Sequence, residues 1–184
     1  MLRIQQNKLN RFYCFAFSCL LFSLFNSEVF AQTKGRPTWV NIRGRIYQTE
    51  SYCGGAKPSE EQLQILNTPR PLASKTIYIK IGRRNANGTP VYRKVVTDEE
   101  GRFQIKLKAG TTYCFVEDWK GEPFQAPQNT EFVTWDIACL KDRYSTADFI
   151  LAVKKSKNPV VKITYHKPCF YRPYCGQYSG PLPP

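Results

Sequence analysis

The segment from residue 97 to residue 116 restricts the fold of this 184-residue chain more than any other. It first alternates polar side chains with apolar ones, which are Phe103, Ile105 and Leu107. A period of two is typical of a strand that buries one face. Asp98 and Gly101 precede that strand at the first and last positions of a four-residue turn, where a type I turn favours them. The segment therefore predicts an antiparallel hairpin, whose returning strand is residues 113–116.

Similar strand signals recur along the chain. They mark further strands at residues 39–47, 76–81, 91–96, 146–153 and 160–165, with a weaker candidate at 131–135. Asn87-Gly88 predicts a two-residue turn. No long helical period exists from which a βαβ unit could be built, and residues 136–144 indicate neither helix nor strand. We expect a single all-β sandwich of seven or eight strands.

One short helix is expected inside this sandwich, after the first strand. Ser59 is a favourable N-cap, and Gln62 three residues later completes a capping box. Apolar residues then supply one helical face, and Pro69 and Pro71 end it. These signals predict a helix from Glu60 to about Leu66.

The central hairpin also carries a recognisable motif. Residues 97–105 read TD-x-x-G-x-F-x-I, and Gly110 and Tyr113 follow as G-x-x-Y. This pattern resembles the carboxypeptidase regulatory-like (prealbumin-like) domain family over about residues 40–116. The resemblance implies a prealbumin-like β-sandwich that holds or binds other molecules and seldom catalyses. Tyr113 matches the position of a tyrosine whose hydroxyl ties down a neighbouring backbone in sandwich corners.

Enzymes with a similar sandwich need histidines that this chain lacks. Intradiol dioxygenases bind iron through two tyrosines and two histidines, and transthyretin-like hydrolases also need more than one histidine. His166 is the only histidine of this chain. The resemblance therefore implies a shared fold without either active site, and we expect no cofactor.

The N-terminal segment has the three regions of an export signal. Arg3, Lys8 and Arg11 are basic, residues 12–25 are apolar, and Val29-Phe30-Ala31 resembles a cleavage site. The 14 apolar residues are short for a bilayer span. We expect residues 1–31 to be a signal peptide, with an uncleaved membrane anchor or a lipoprotein cysteine at Cys19 as alternatives. The mature protein would then lie in the periplasm, the outer envelope or the extracellular space, without a transmembrane helix.

Residues 32–184 hold 24 basic and 13 acidic residues, a net charge of +11. Such an excess favours anionic partners, such as polysaccharide, lipid headgroups, nucleic acid or acidic protein. The cations alternate with apolar residues along the predicted strands, as at Lys80, Arg93, Lys106, Lys108 and Lys162. This spread is typical of a solvated outer sheet face rather than of a dedicated anion site.

Five cysteines follow the predicted signal: Cys53, Cys114, Cys139, Cys169 and Cys175. Export to an oxidising compartment favours disulfides, and the odd count leaves one thiol unpaired within the chain. We expect the C-terminal Cys169 or Cys175 to take part, with Cys53 or Cys139 as the first partners to consider. A metal site of His166, Cys169 and Cys175 is an alternative, although zinc usually has a fourth protein ligand.

The predicted sandwich covers residues 32–166, and residues 167–184 form a Cys- and Pro-rich tail. Frequent proline predicts an extended tail, without regular strand or helix, that lies over the sandwich. Basic and aromatic side chains interleave in it, and Lys167, Tyr171, Arg172 and Tyr174 are the candidate ligand surface. The alternative is that the rings only cover the open end of the sandwich.

These observations favour an exported, non-enzymatic binding or accessory module of the cell envelope or extracellular space. Its predicted partner is an anionic polysaccharide, another glycan or an envelope component, and not a specific nucleic acid. Catalytic and metal-binding residues are expected to be absent, because no nucleophile, base and orienting group form a set. The alternative is a metal-dependent oxygenase or hydrolase on the same type of sandwich.

Overall fold

The computed structural model describes residues 37–182. Ten strands and two α-helices follow one another in this part of the chain. The strands are β1 (Trp39–Glu50), β2 (Arg70–Pro71), β3 (Thr76–Ile81), β4 (Arg93–Val96), β5 (Arg102–Lys108), β6 (Thr112–Glu117), β7 (Val133–Trp135), β8 (Phe149–Ala152), β9 (Val161–Lys167) and β10 (Gly176–Tyr178). The helices are α1 (Glu60–Asn67) and α2 (Ile137–Ser145), and a short 3-10 helix spans Asp118–Lys120.

The first sheet is built around β1, the longest strand. Residues 39–45 of β1 pair antiparallel with β5. Residues 44–50 pair parallel with β9, and residues 47–48 pair antiparallel with β2. Strand β1 therefore lies in the middle of this sheet, between β9 on one side and β2 and β5 on the other.

The second sheet has the order β4-β3-β6-β8, with all neighbours antiparallel. Its inner residues and those of the first sheet form one apolar core. The fully buried members include Ile42 and Ile46 from β1, Ile77 and Ile79 from β3, and Phe115 from β6. The Phe103 ring of the first sheet lies 6.2 Å from the Phe115 ring of the second, centroid to centroid. The predicted all-β sandwich is confirmed, and its two sheets contain eight strands in all.

Residues 118–121 and the end of α2 cover part of the outer face of the second sheet, while Val96 and Ile150 on its edge strands are exposed. The buried Lys80 of β3 donates to the Lys120 carbonyl at 3.1 Å, and Asn85 Nδ2 donates to the same carbonyl at 3.0 Å. Asn85 also donates to the Tyr144 carbonyl at 2.9 Å, which anchors the end of α2. Burial lowers the pKa of Lys80. Cys114, the unpaired cysteine among residues 37–182, is fully buried on the strand next to Lys80.

The central hairpin follows the predicted pattern. Gly101 N donates to the Asp98 carbonyl at 3.0 Å, which closes the turn, and Asp98 Oδ1 accepts from Arg102 N at 2.7 Å. The hydrogen bond from the Arg102 backbone is the main reason that the pKa of Asp98 is lowered. Helix α1 carries the predicted capping box, with Ser59 Oγ and Gln62 Oε1 each accepting from the other residue's backbone N–H.

Three local expectations need correction. Asn87-Gly88 does form a turn, but the pairing of β3 with β4 ends at Ile79 and Arg93. The turn therefore lies within a longer loop and does not join the two strands directly. The ambiguous residues 136–144 belong to the second helix, α2, which begins at an Asp136 side-chain cap. The tail contains a strand, β10, because β7 offers it an antiparallel partner.

Tyr113 takes the structural role implied by the family resemblance. Its hydroxyl accepts a hydrogen bond from Lys108 N at 3.1 Å across the β5–β6 turn, and the residue is 1% exposed. We expect Tyr113→Phe to lower the free energy of unfolding by about 1 kcal/mol, since the Lys108 N–H loses its acceptor. Urea denaturation would measure this loss.

Tyr78→Phe is the matched control, because the Tyr78 hydroxyl makes no hydrogen bond with any residue between 37 and 182. A loss for Tyr113→Phe no larger than that for Tyr78→Phe would contradict the assigned role.

Within residues 37–182, no helix combines the length and the apolar character needed to cross a membrane. The predicted signal peptide, residues 1–31, lies outside the described residues, as does its cleavage site.

Candidate ligand-binding cavity under the C-terminal tail

The tail is fastened across one end of the sandwich by two disulfides. Cys53, just after β1, is joined to Cys169, just after β9, and Cys139 of α2 is joined to Cys175. The corresponding Cα–Cα distances are 5.4 Å and 5.5 Å. Disulfide bonding is thus confirmed, and the bonds use the pairs that the sequence analysis considered first. Both cysteines of the alternative metal site are oxidised in these bonds.

Hydrogen bonds add to this attachment. Strand β10 pairs with β7, and Asp136 N donates to the Cys175 carbonyl at 2.8 Å. The Tyr174 hydroxyl donates to the His166 carbonyl at 2.9 Å. Ser179 N donates to the Phe132 carbonyl at 2.9 Å. The tail is therefore held along most of its length, in spite of its high proline content.

A cavity of about 460 Å³ remains between the tail and the sandwich. Its sandwich side is formed by residues near the ends of β1, β6 and β9 and just before β3, and its tail side by residues 168–170, 173 and 174. Five aromatic rings line it: Trp119, Trp135, Tyr165, Phe170 and Tyr174. Trp119 and Tyr174 are 40% and 36% exposed, so both rings are accessible to a ligand.

Two of the cations that line this cavity have no acidic partner. The Arg143 guanidinium lies over the Tyr174 ring, 3.6 Å from the ring centroid. Lys167 lies at the end of β9, on the same cavity. Among residues 37–182, neither forms an ion pair with a carboxylate. The Tyr174 ring therefore holds the Arg143 guanidinium in position, and the guanidinium remains able to pair with a negatively charged group of a ligand.

The inner wall is a polar network in which one lysine lies between two carboxylates. Lys75 Nζ contacts Glu117 at 2.9 Å and Asp118 at 3.1 Å. Burial alone would lower the pKa of Lys75, but hydrogen bonds and charge from these carboxylates raise it. Trp119 Nε1 donates to the second Glu117 oxygen at 2.9 Å, which orients the indole. This wall supplies shape and hydrogen-bonding groups, while net positive charge comes from Arg143 and Lys167.

Tyr165 closes the bottom of the cavity. Its hydroxyl donates to Asp148 Oδ2 at 3.1 Å, and Asp148 also pairs with the buried Lys120. Burial, together with the negative charge of Asp148, raises the pKa of Tyr165 above its usual range. The phenol is therefore neutral at physiological pH, and its proton is held by an internal partner.

The structure divides the predicted ligand surface between two cavities. Lys167 and Tyr174 line the aromatic cavity. Tyr171 and Arg172 line a second cavity of about 570 Å³ on the other side of the tail, next to the Cys53 loop and α1. His166 borders both, with its ring nitrogens 3.0 Å from Thr49 Oγ1 and 2.8 Å from Ser51 Oγ.

Sequence reasoning missed Trp119, Trp135 and Arg143. The two tryptophans are two of only three in the chain, and this rarity was an available signal. The sequence did not single out Arg143, because residues 136–144 favoured neither helix nor strand. Within residues 37–182, no cluster of three or more histidine, cysteine or acidic side chains is arranged to hold a metal ion.

Comparison with known proteins gives distant structural neighbours only. No family model matches the chain, and no curated protein matches it. The crystal structure of shaft pilin SpaA from Lactobacillus rhamnosus GG is similar over 71% of this chain at 14% identity, with a TM-score of 0.34. A mutant of that pilin is similar over 78% of this chain at 13% identity, with the same TM-score of 0.34. The chain spans about half the length of these pilins, and a likeness this distant carries no functional information.

Proposed function

We propose that this protein is an exported, non-enzymatic binding module, of the carboxypeptidase regulatory-like type, whose aromatic cavity binds an acidic saccharide. The observation that carries the proposal is the combination of accessible rings and unpaired cations in one cavity. Trp119 and Tyr174 offer ring faces, and Arg143 and Lys167 offer positive charge.

The cavity has the size and composition of a small-molecule site. Ligand pockets commonly enclose about 300–1,000 Å³ and combine apolar walls with a few polar groups. At about 460 Å³ this cavity lies in that range. The negative face of an aromatic ring attracts the partly positive C–H groups of a sugar ring, which supports stacking on Trp119.

Arg143 supplies the preference for an acidic sugar. A guanidinium binds a carboxylate through two parallel hydrogen bonds, and such charge-assisted bonds are stronger than neutral ones. Stacking on Tyr174 holds the guanidinium in place, so less side-chain entropy is lost on binding. A neutral saccharide would use the rings alone and bind more weakly.

The exported setting rests on the predicted signal and is supported by the two disulfides, which persist in oxidising compartments. The absence of enzymatic activity rests on the chemistry of the cavity. Its one histidine is bonded to Thr49 and Ser51, and its cysteine is in a disulfide. The second nitrogen of the His166 ring contacts the Thr49 hydroxyl and not a carboxylate, so the Ser51–His166 contact lacks the acidic orienting group of a catalytic triad.

The test is calorimetric titration of the exported, disulfide-bonded protein with oligogalacturonate and with a neutral galactose oligomer of equal length. We expect the acidic oligomer to bind more tightly. Arg143→Met should weaken its binding at least tenfold, since a hydrogen bond to a charged group contributes about 1.5–3 kcal/mol. Trp119→Ala should weaken binding of both oligomers.

Arg172→Met is the matched control. Arg172 also lies over a tyrosine ring, that of Tyr171, but on the second cavity. The Arg172→Met substitution should leave the affinity for both oligomers unchanged. Equal losses for the two arginine variants, or no binding of either oligomer, would refute the proposal. Stoichiometric iron or zinc in the purified protein would favour the enzyme alternative instead.

A further inference from the structure

The outer face of the first sheet carries a second feature, separate from the aromatic cavity. Outward side chains of β1, β5 and β9 can be assigned from the pairing register, because paired residues point to the same side of a sheet. Arg45 is opposite Arg102 on β5 and opposite Lys162 on β9. Lys106 is opposite Asn41, and Lys108 is opposite Trp39. We call these positions, together with Arg43, the basic face.

The basic face contains three arginines and three lysines at outward strand positions, and no acidic residue occupies an outward position of these three strands. Arg102 alone forms ion pairs, with Asp98 and Glu100 in the preceding turn. For the part of the chain that the structure describes, the other five cations have no carboxylate within ion-pair distance. The face is therefore an uncompensated positive surface.

The like charges directly opposite one another favour a functional explanation. Arg45 faces a cation on both neighbouring strands, and like charges at opposed positions destabilise a sheet. Residues that break a local rule of stability are expected at functional sites. Besides the ion pairs of Arg102, local relief comes from Tyr47, whose hydroxyl accepts from Arg45 at 3.4 Å and whose ring lies 5.2 Å from Lys162 Nζ.

A cavity of about 820 Å³ lies against part of the basic face. Arg43, Arg45, Arg102 and Lys162 line it, together with Asp98 and with Val95 and Val96 of β4, whereas Lys106 and Lys108 do not. It shares no lining residue with the aromatic cavity. The second sheet has no such surface: of the two cations at its outward positions, Lys80 is buried and Lys94 is exposed.

We propose that the basic face binds a linear acidic polysaccharide, through its carboxylate or sulfate groups, across β9, β1 and β5. A sheet is twisted, so a flexible polymer can follow this face while a flat bilayer meets only part of it. Single-stranded nucleic acid would need stacking rings between the cations, and the exposed rings at outward positions, Trp39 and His166, lie near the ends of their strands. The proposal does not depend on a ligand in the aromatic cavity.

The test compares two triple variants of the full exported protein. Arg43→Gln/Arg45→Gln/Lys162→Gln removes three charges from the basic face. Lys57→Gln/Lys94→Gln/Lys141→Gln removes three exposed charges elsewhere and is the matched control. Binding to heparin and to polygalacturonate is measured from 50 to 300 mM NaCl. Anionic lipid vesicles and single-stranded DNA serve as competing probes.

We expect the basic-face variant to bind at least one of the two polysaccharides tenfold or more weakly at 50 mM NaCl. Its plot of log affinity against log salt should also become flatter, because fewer counterions are released. The control variant should change by less than threefold. Arg43→Lys/Arg45→Lys, which keeps the charge, should retain most of the affinity.

Equal weakening of both triple variants would overturn the proposal, because net charge alone would then explain binding. Tighter binding to lipid vesicles or to DNA than to either polysaccharide would overturn it as well. Denaturant unfolding of the basic-face variant provides a second readout. Removal of opposed like charges should leave its midpoint unchanged or raise it, so lost binding cannot be attributed to unfolding.

Discussion

Replacing Cys53 and Cys169 together by serine is expected to lower the free energy of unfolding by about 2–5 kcal/mol. The disulfide links residues 116 apart, so its loss releases a long loop in the unfolded chain. In the folded state it extends the parallel β1–β9 pairing by fixing the chain just beyond Glu50 and Lys167. Urea unfolding of the oxidised proteins would measure the change.

The Cys139→Ser/Cys175→Ser variant is the comparison for this prediction. That bond links residues only 36 apart, so loop closure predicts a loss smaller by about 1 kcal/mol. Cys114→Ser is not a suitable control, because Cys114 is fully buried. A larger loss for the Cys139–Cys175 pair would mean that attachment of α2, and not loop closure, determines the stabilisation.

Gly101→Ala is expected to lower the free energy of unfolding by about 3 kcal/mol. Gly101 has a φ of +69°, and a methyl group there would lie 2.5 Å from the Ile46 carbonyl oxygen and 3.0 Å from Leu72 N. The left-handed backbone costs about 1–2 kcal/mol for an L-residue, and overpacking adds about 1–3 kcal/mol. Both nearby atoms are backbone, and they hydrogen bond to each other at 3.0 Å.

Gly110→Ala separates these two contributions. Gly110 has a φ of +77°, but its methyl group would have no heavy atom within 4 Å. Only the backbone cost of about 1–2 kcal/mol should remain. Urea unfolding of the two variants under identical conditions gives the difference. Equal losses would show that the first sheet accommodates the extra methyl group and would contradict the predicted clash.

Features encoded within a few neighbouring residues were predicted from the sequence. The period-two alternation placed β5, the Ser59–Gln62 capping box placed α1, and Asp98 and Gly101 placed the turn between β4 and β5. Each of these signals depends on side-chain direction or on hydrogen bonds within one turn of chain. The aspartate that caps α2 was a signal of the same kind, and it could have been recognised.

The aromatic cavity required the tertiary structure. Trp119, Arg143 and Tyr174 are far apart in the sequence, and the disulfides and the β7–β10 pairing bring them to one end of the sandwich. The tail strand has the same origin, because a three-residue strand forms only where another edge supplies its hydrogen bonds. The predicted surface of Lys167, Tyr171, Arg172 and Tyr174 was divided because the tail has two sides.

The sequence by itself determined three properties. They are a sandwich whose strands alternate apolar and polar side chains, an excess of positive charge, and an odd number of cysteines after the predicted signal. Only the tertiary structure decided which charges lie together. Alternation shows that Arg45 and Lys162 point outward, but not that they are neighbours, because register depends on long-range pairing of β1 with β9. Local patterns specify the faces of a strand, whereas a binding surface is specified by the strands that lie beside it.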